Sequence, residues 1–197
     1  MAKLYFRYGA MNSGKTTSLL QVAYNYEEKG MKVLLLKPSI DTKGDENVVS
    51  RLGLERKVDF LISNEDDIRE IVKDFKGSIR CIMVDEVQFL KSKHIDELFE
   101  ISVNWDIPVI CYGLRTDFLM NGFEGSERLL LLAHSIEELK TICACGRKAI
   151  MNGRKINGEF VFFGEQCAID GEKDITYEPL CGRCYIDKRN SMMNIIK

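Results

Sequence analysis

The sequence predicts an α/β domain with a mostly parallel sheet, followed by a small domain built round a metal. Three observations carry this. Apolar strands alternate with amphipathic helices along the first part of the chain, the order that produces a parallel sheet covered on both faces. A loop of the form G-x-x-x-x-G-K-[ST], Gly9-Ala10-Met11-Asn12-Ser13-Gly14-Lys15-Thr16, stands between the first strand and the first helix. From about Leu139 the apolar periodicity weakens, glycines recur, and cysteines come in close pairs. A chain of 197 residues can bury one sizeable core and still carry a small appendage, so the domains are expected at 1–140 and 141–197.

The elements follow in order. Lys3 to Tyr8 is a β-prone apolar run, and Thr17 to Lys29 places Leu19, Leu20, Val22, Ala23 and Tyr26 at helical spacing. Gly30 is placed to cap that helix, and Lys32 to Lys37 reads as a buried strand ended by Pro38. The polar stretch Asp41 to Ser50 and the segment Val48 to Lys57, with Arg51, read as a loop or short hairpin near bound phosphates. A plain solvated charge explains Arg51 equally well. Val58 to Ile62 is a short strand. Ser63 or Asn64 can cap a helix over Glu65 to Phe75, which Gly77 ends. Ile79 to Val84 is an apolar strand finishing in Asp85-Glu86. A helix from about Ser92 to Val103, a strand from Pro108 to Leu114 and a loop from Arg115 to Gly125 come next. The second domain is expected to consist of loops and a metal, and Asn190 to Lys197 to be a frayed tail.

Composition excludes several classes. A formal charge of -2 and a pI near 5.8 provide no basic surplus for general nucleic-acid binding. No signal-like leader opens the chain and no apolar stretch approaches spanning length, so a soluble, cytoplasmic protein without membrane contact is expected. Seven cysteines, an odd number, argue for metal ligation over a disulfide framework.

Two constellations carry chemistry. In the glycine loop, backbone N–H groups and the helix N-terminus point at a polyphosphate, Lys15 adds a mobile positive charge, and Thr16 would hold Mg²⁺. An acidic residue ending a neighbouring strand is the expected complement, so Asp85 would share that Mg²⁺. Glu86, beside it, is placed to take a proton either from an alcohol acceptor or from water. The second constellation is Cys143-Ala144-Cys145 with Cys181-Gly182-Arg183-Cys184, two pairs that can supply four thiolates to one structural Zn²⁺. A redox role for Cys181 and Cys184 lacks any thioredoxin-like context. Cys81 and Cys111 read as packed thiols, and His94 and His134 as surface or satisfied histidines.

Five stretches together carry a family resemblance: Gly9 to Thr16, Asp85-Glu86-Val87-Gln88-Phe89, Tyr112 to Phe118, Ile142 to Ala149 and Tyr177 to Cys181. In this order, over nearly the whole chain, they resemble type II thymidine kinases. The resemblance implies a RecA-like domain that binds ATP with Mg²⁺ through residues 9–16 and through Asp85, Glu86, Val87 and Gln88. It also implies a zinc-anchored lasso loop that folds over thymidine. Glu86 is implied as the base acting on the nucleoside 5′-hydroxyl, and the nucleoside pocket maps onto Met11, Phe89, Leu114, Phe118, Phe123 and Tyr177. Main-chain groups between about Glu165 and Tyr177 would read thymine and oppose the reversed donor pattern of cytosine. The chain differs from many relatives in having Asp170-Gly171 for Gly-Gly, a longer spacing from Gly171 to Tyr177, and Cys184 where some bacterial relatives carry histidine. A homotetramer and feedback inhibition by dTTP are implied by the family alone.

The expected function is therefore ATP-dependent phosphorylation of thymidine to dTMP in nucleotide salvage. The principal alternative is a RecA-like ATPase module with a zinc ribbon, in which Glu86 would activate water; it leaves the cysteine-bounded loop unexplained. A non-enzymatic zinc-ribbon module would leave the phosphate loop without a purpose.

Overall fold

The computed structural model describes residues 1–41, 46–166 and 174–195, with side chains up to Met192. Within the predicted loops, 42–45 and the Asp170-Gly171 pair lie outside the described residues, as does 167–173 of the lasso segment. The chain divides into two compact units. The first comprises Met1–Tyr8, Gly14–Leu114 and Phe123–Glu138; the second comprises Gly9–Ser13, Arg115–Gly122 and Leu139–Lys197.

The first unit contains β1 (Leu4–Tyr8), α1 (Lys15–Glu27), β2 (Val33–Pro38), β3 (Asn47–Val49), β4 (Glu55–Lys57), β5 (Phe60–Ile62), α2 (Ile68–Val72), β6 (Cys81–Val84), α3 (Ser92–Asn104), β7 (Val109–Gly113), α4 (Glu124–Leu132) and β8 (Ser135–Glu138). Six of these strands form one sheet in the order β5-β2-β6-β7-β1-β8, and every pairing in it is parallel. The order places β7 between β1 and β6. The C-terminal ends of β1, β7 and β6, where the glycine loop, Leu114 and Asp85 follow, are therefore neighbours.

Pleating sends alternate residues to opposite faces. One face, with Leu4, Phe6, Leu34, Leu36, Ile82, Val84, Val109 and Cys111, packs in a single apolar cluster with Ile68 and Val72 of α2, Ile95, Leu98 and Ile101 of α3, and Leu129 of α4. On the other face, α1 buries Leu19, Leu20 and Ala23 and packs near β2 and β7. Gly30 adopts φ 72 and closes α1, its N–H donating to the Glu27 carbonyl while Met31 N–H reaches back to Tyr26.

Several elements differ from the sequence reading. The helix expected over Glu65 to Phe75 begins only at Ile68, because Asp67 caps it by accepting from Arg69 N–H, and it tightens into a 3-10 turn at Lys73–Phe75. Ser63 does not cap; its N–H donates to Asp66 Oδ2 at 2.6 Å and the chain turns there. Glu97 of α3 supplies a second partner to that helix start, accepting from Ile68 N–H at 2.9 Å. α4 and β8 follow the expected loop and were not legible: the run Leu129–Leu132 marks no single face, since Leu130 and Leu131 are exposed.

The second unit contains β9 (Thr141–Ile142), β10 (Lys148–Ala149), β11 (Met151–Ile156), β12 (Glu159–Val161), β13 (Ile175–Leu180) and α5 (Gly182–Ile195). β9 and β10 form a hairpin, and β12-β11-β13 an antiparallel sheet. It is thus more than loops and a metal. Cys143, Ala149, Phe162, Leu180, Cys181 and Tyr185 make a small apolar cluster beneath it. Gly153 is required at the centre of β11, because a Cβ there would lie 2.7 Å from both Leu180 Cδ1 and Phe160 Cε1. The expected frayed tail is helical as far as Ile195, continuing α5. Among the described residues no helix is long and apolar enough to cross a membrane.

Candidate functional site

In the first unit, Gly14 takes φ 79 and ends the loop, and α1 starts at Lys15, with Ser18 N–H bonded to the Gly14 carbonyl at 2.9 Å. Only a residue at ease in the left-handed region closes the turn there without strain. Lys15 is buried although it is charged. Thr16 Oγ1 donates to Asp85 Oδ2 at 3.3 Å, joining the helix start to the end of β6. The Asp85 carboxyl is 4% exposed, and its Oδ1 is buried with no hydrogen-bond partner. Burial pushes this carboxyl up to about 7, the neighbouring Glu86 charge adds to the rise, and the Lys15 charge opposes it. A buried, unsatisfied carboxylate oxygen beside a threonine hydroxyl is a hard-oxygen set that fits Mg²⁺.

Glu86 follows with φ 47, unusual for a side chain with a Cβ, and begins a 3-10 turn over Val87–Phe89. Its carboxylate accepts from Gln88 Nε2 at 2.6 Å, while Gln88 Oε1 accepts from Leu114 N–H at 3.0 Å. Gln88 thereby ties the end of β6 to the end of β7. The tie needs Gly113, where a Cβ would stand 2.6 Å from Gln88 Oε1. Phe89 and Phe123 meet edge to face with centroids 5.7 Å apart. Leu114 and Phe123 are buried, and Ser126 Oγ donates to the Leu114 carbonyl at 2.5 Å.

A small cavity beside Thr16, Asp85 and Glu86 is completed by Lys37, Asp41 and β3. The expected hairpin is thus real, antiparallel, and lines this cavity, whereas Arg51 lies exposed at its turn. Lys37 and Asp41 were not singled out from sequence. Lys37 Nζ lies 3.1 Å from Asp41 with its side chain 2% exposed, so a charge pair is buried at the end of β2. The available signal was a lysine closing an otherwise apolar strand with an aspartate four residues on.

The second unit holds the other expected residues. Gly9 opens the loop where a Cβ would collide with Ser13 Oγ and lie 2.5 Å from the Leu139 carbonyl. Met11 N–H donates to Asn152 Oδ1 at 2.8 Å, and Asn152 Nδ2 donates to the Thr116 carbonyl at 3.0 Å. Ser13 N–H returns to the Ala10 carbonyl, and Asn12, at φ 64, accepts on its carbonyl from Thr141 Oγ1. Asn152, 3% exposed, is a further residue that sequence reasoning passed over. Phe118 is 1% exposed, with the Arg154 guanidinium 3.7 Å above its ring, so it is packed inside the unit and not laid open. Tyr177 is half-buried, and its hydroxyl accepts from Arg154 Nε.

The sulfurs of Cys143, Cys145, Cys181 and Cys184 all lie within 4.8 Å of one another. Four ligands about 2.3 Å from a tetrahedral zinc ion stand about 3.8 Å apart, a spacing this set can adopt with little movement, so it fits Zn²⁺ and leaves no protein ligand position open. Gly146, at φ 82, makes the turn after the first pair, its N–H closing on the Cys143 carbonyl and not on sulfur. The Cys184 N–H does reach a sulfur, that of Cys181, at 3.4 Å; it is the first cause that brings the Cys181 thiol down to about 6. The neighbouring sulfurs push Cys184 up to about 12, as expected when crowded thiols share protons. Cys81 and Cys111 are buried in β6 and β7, where desolvation raises both thiols. His94 is buried and satisfied, accepting from Lys91 N–H on Nδ1 and meeting the Asp66 carbonyl through Nε2; His134 Nδ1 accepts from Leu4 N–H.

Comparison with known proteins adds an independent observation. Residues 2–185 match the thymidine kinase family. A thymidine kinase of Lactobacillus acidophilus is 45% identical over 191 residues, covering 92% of this chain and 94% of that protein. Thymidine kinases of Lactiplantibacillus plantarum and Zymomonas mobilis are 46% and 43% identical, covering 94% and 98% of this chain and 96% and 100% of theirs.

Proposed function

We propose that this chain, which belongs to the thymidine kinase family, transfers the γ-phosphoryl group of ATP to the 5′-hydroxyl of thymidine, yielding dTMP and ADP for nucleotide salvage in the cytoplasm. The observation that carries the reading is Glu86, held by Gln88 next to Thr16 and the buried Asp85. A carboxylate fixed in that position is suited to a single proton transfer beside a polyphosphate.

The glycine loop, Gly9 to Thr16, cradles the polyphosphate with its N–H groups, and Lys15 meets its outer phosphates. Thr16 and Asp85 would hold Mg²⁺, which when bound neutralises charge on the phosphates. Glu86 accepts the proton of the 5′-hydroxyl as the new oxygen–phosphorus bond forms and the bond to the β-phosphate oxygen breaks. Val87 and Gln88 complete the ATP side, Gln88 by orienting Glu86. The family resemblance supports nucleoside contacts from Phe89, Leu114 and Phe123 in the first unit and, taken separately, from Met11 and Tyr177 in the second, where Phe118 stays enclosed under the Arg154 guanidinium. The four cysteines hold a structural zinc ion. A homotetramer and inhibition by dTTP complete the reading, on the support of the family resemblance.

The test is Glu86→Gln, which should lower kcat by about 10²–10⁴-fold with both KM values nearly unchanged, the signature of a lost general base. ATP consumption by the parent protein should depend on thymidine. Equal hydrolysis with and without the nucleoside would overturn the reading.

A further inference from the structure

We propose that Arg154 is the positioning residue that sets thymidine affinity, an inference that rests on the kinase reading above. The residue stands on β11 directly opposite Tyr177 on β13 and is 4% exposed. Its guanidinium is committed in three directions at once. Nε donates to the Tyr177 hydroxyl at 3.0 Å, Nη1 to the Glu165 carbonyl at 2.8 Å and Nη2 to the Gln166 carbonyl at 2.9 Å, while the group lies flat over Phe118. Two consecutive carbonyls turned to one guanidinium fix the orientation of the peptide between them.

The stretches so joined, 117–118, 165–166 and Tyr177, are separated in sequence and have other ties that run the same way. Gln166 Nε2 donates to Asp117 Oδ2 and to the Gly122 carbonyl, and the Tyr185 hydroxyl donates to the Phe118 carbonyl. A fixed planar fork with five donors can hold all these partners together, and an ammonium on a flexible stem cannot. Arg154 packs on Phe118 and therefore acts through Tyr177 and the main chain at 165–166, the parts of the second unit to which the kinase reading assigns the base. The partners named for Arg154 all belong to the second unit.

The experiment compares parent, Arg154→Lys and Tyr177→Phe by calorimetric titration with thymidine, by KM for thymidine and for ATP, and by zinc content. Arg154→Lys keeps the charge and loses the fork; it should weaken thymidine binding and raise its KM by about tenfold or more, the scale of one lost hydrogen bond to a charged group. KM for ATP and zinc content should stay at parental values, and the preference for thymidine over deoxycytidine should narrow. Tyr177→Phe removes only the hydroxyl partner and should show a smaller rise in the same KM. A parent that binds thymidine alongside an Arg154→Lys protein that binds it equally tightly would overturn this inference alone. A parent that binds no thymidine would overturn the kinase reading and this inference with it.

Discussion

The two units are held together by different chemistry. The first is organised by apolar burial: one face of its sheet and three helices share a cluster of fully enclosed Leu, Ile and Val side chains. The second has a cluster of six buried residues, two of them cysteines, and relies on four converging sulfurs and one buried guanidinium. In a small unit with little apolar surface to bury, a metal held by those sulfurs, as proposed above, together with buried polar contacts would supply what a core supplies elsewhere. The difference teaches that equally buried residues fail in different ways. Deleting a methyl group in the first unit leaves a cavity, whereas deleting a sulfur in the second removes an anchor.

The largest effect should come from Cys181→Ser. Structural zinc contributes on the order of 10 kcal/mol to the folding of small zinc modules, so loss of one thiolate should release the metal and unfold the second unit first. Far-UV circular dichroism with metal analysis checks this: the expected outcome is zinc-free protein that retains the helical signal of the first unit. Full zinc content in the variant, or a well-folded and fully active protein after chelation, would break the contrast between the units.

Leu36→Ala should be milder and opposite in kind. Leu36 is wholly buried in the main cluster, and such truncations cost about 2–5 kcal/mol. Denaturant unfolding should show that loss while zinc stoichiometry stays unchanged. Release of zinc in parallel with the loss of stability would mean that the two units are not separately anchored.

The smallest effect concerns acid. His94 is enclosed in the first unit with Nδ1 accepting from Lys91 N–H and Nε2 facing the Asp66 carbonyl, which demands the neutral ring with its proton on Nε2. Desolvation by burial lowers its pKa from the ordinary value of 6.5, with Glu97 opposing. The unfolded chain therefore takes up a proton near pH 6.5 that the folded chain declines. Stability of the first unit should fall as pH drops below about 6.5 and level off once the folded ring is also protonated. Urea midpoints measured from pH 8 to 5 should show this slope, and His94→Gln should lose it; an unchanged slope in the variant would assign the effect to other groups.

The corrections divide along physical lines. The start of α2 was misplaced because Ser63, Asn64, Asp66 and Asp67 are all competent caps, and only Glu97, reaching Ile68 from α3, and the turn at Asp66 select among them. The helix α4 was missed because four consecutive leucines carry no period. The end of α5 was read as a tail because Asn190 to Asn194 has weak patterning of its own, although Met192 packs against the small apolar cluster.

The sequence by itself determined the elements whose chemistry is local. A glycine loop between a strand and a helix, an apolar strand ending in two carboxylates, and two cysteine pairs each announce themselves within a few residues, because spacing along the chain already dictates what they can bind. Only the tertiary structure decided which distant residues complete them. That β7 lies between β1 and β6, that Gln88 bridges Glu86 to Leu114, that Lys37 pairs with Asp41 in a buried corner, and that Arg154 gathers 118, 165, 166 and 177 are all outcomes of packing. A buried polar group must find partners wherever the fold brings them. Its partners are set by the folded path of the chain, which no local pattern records.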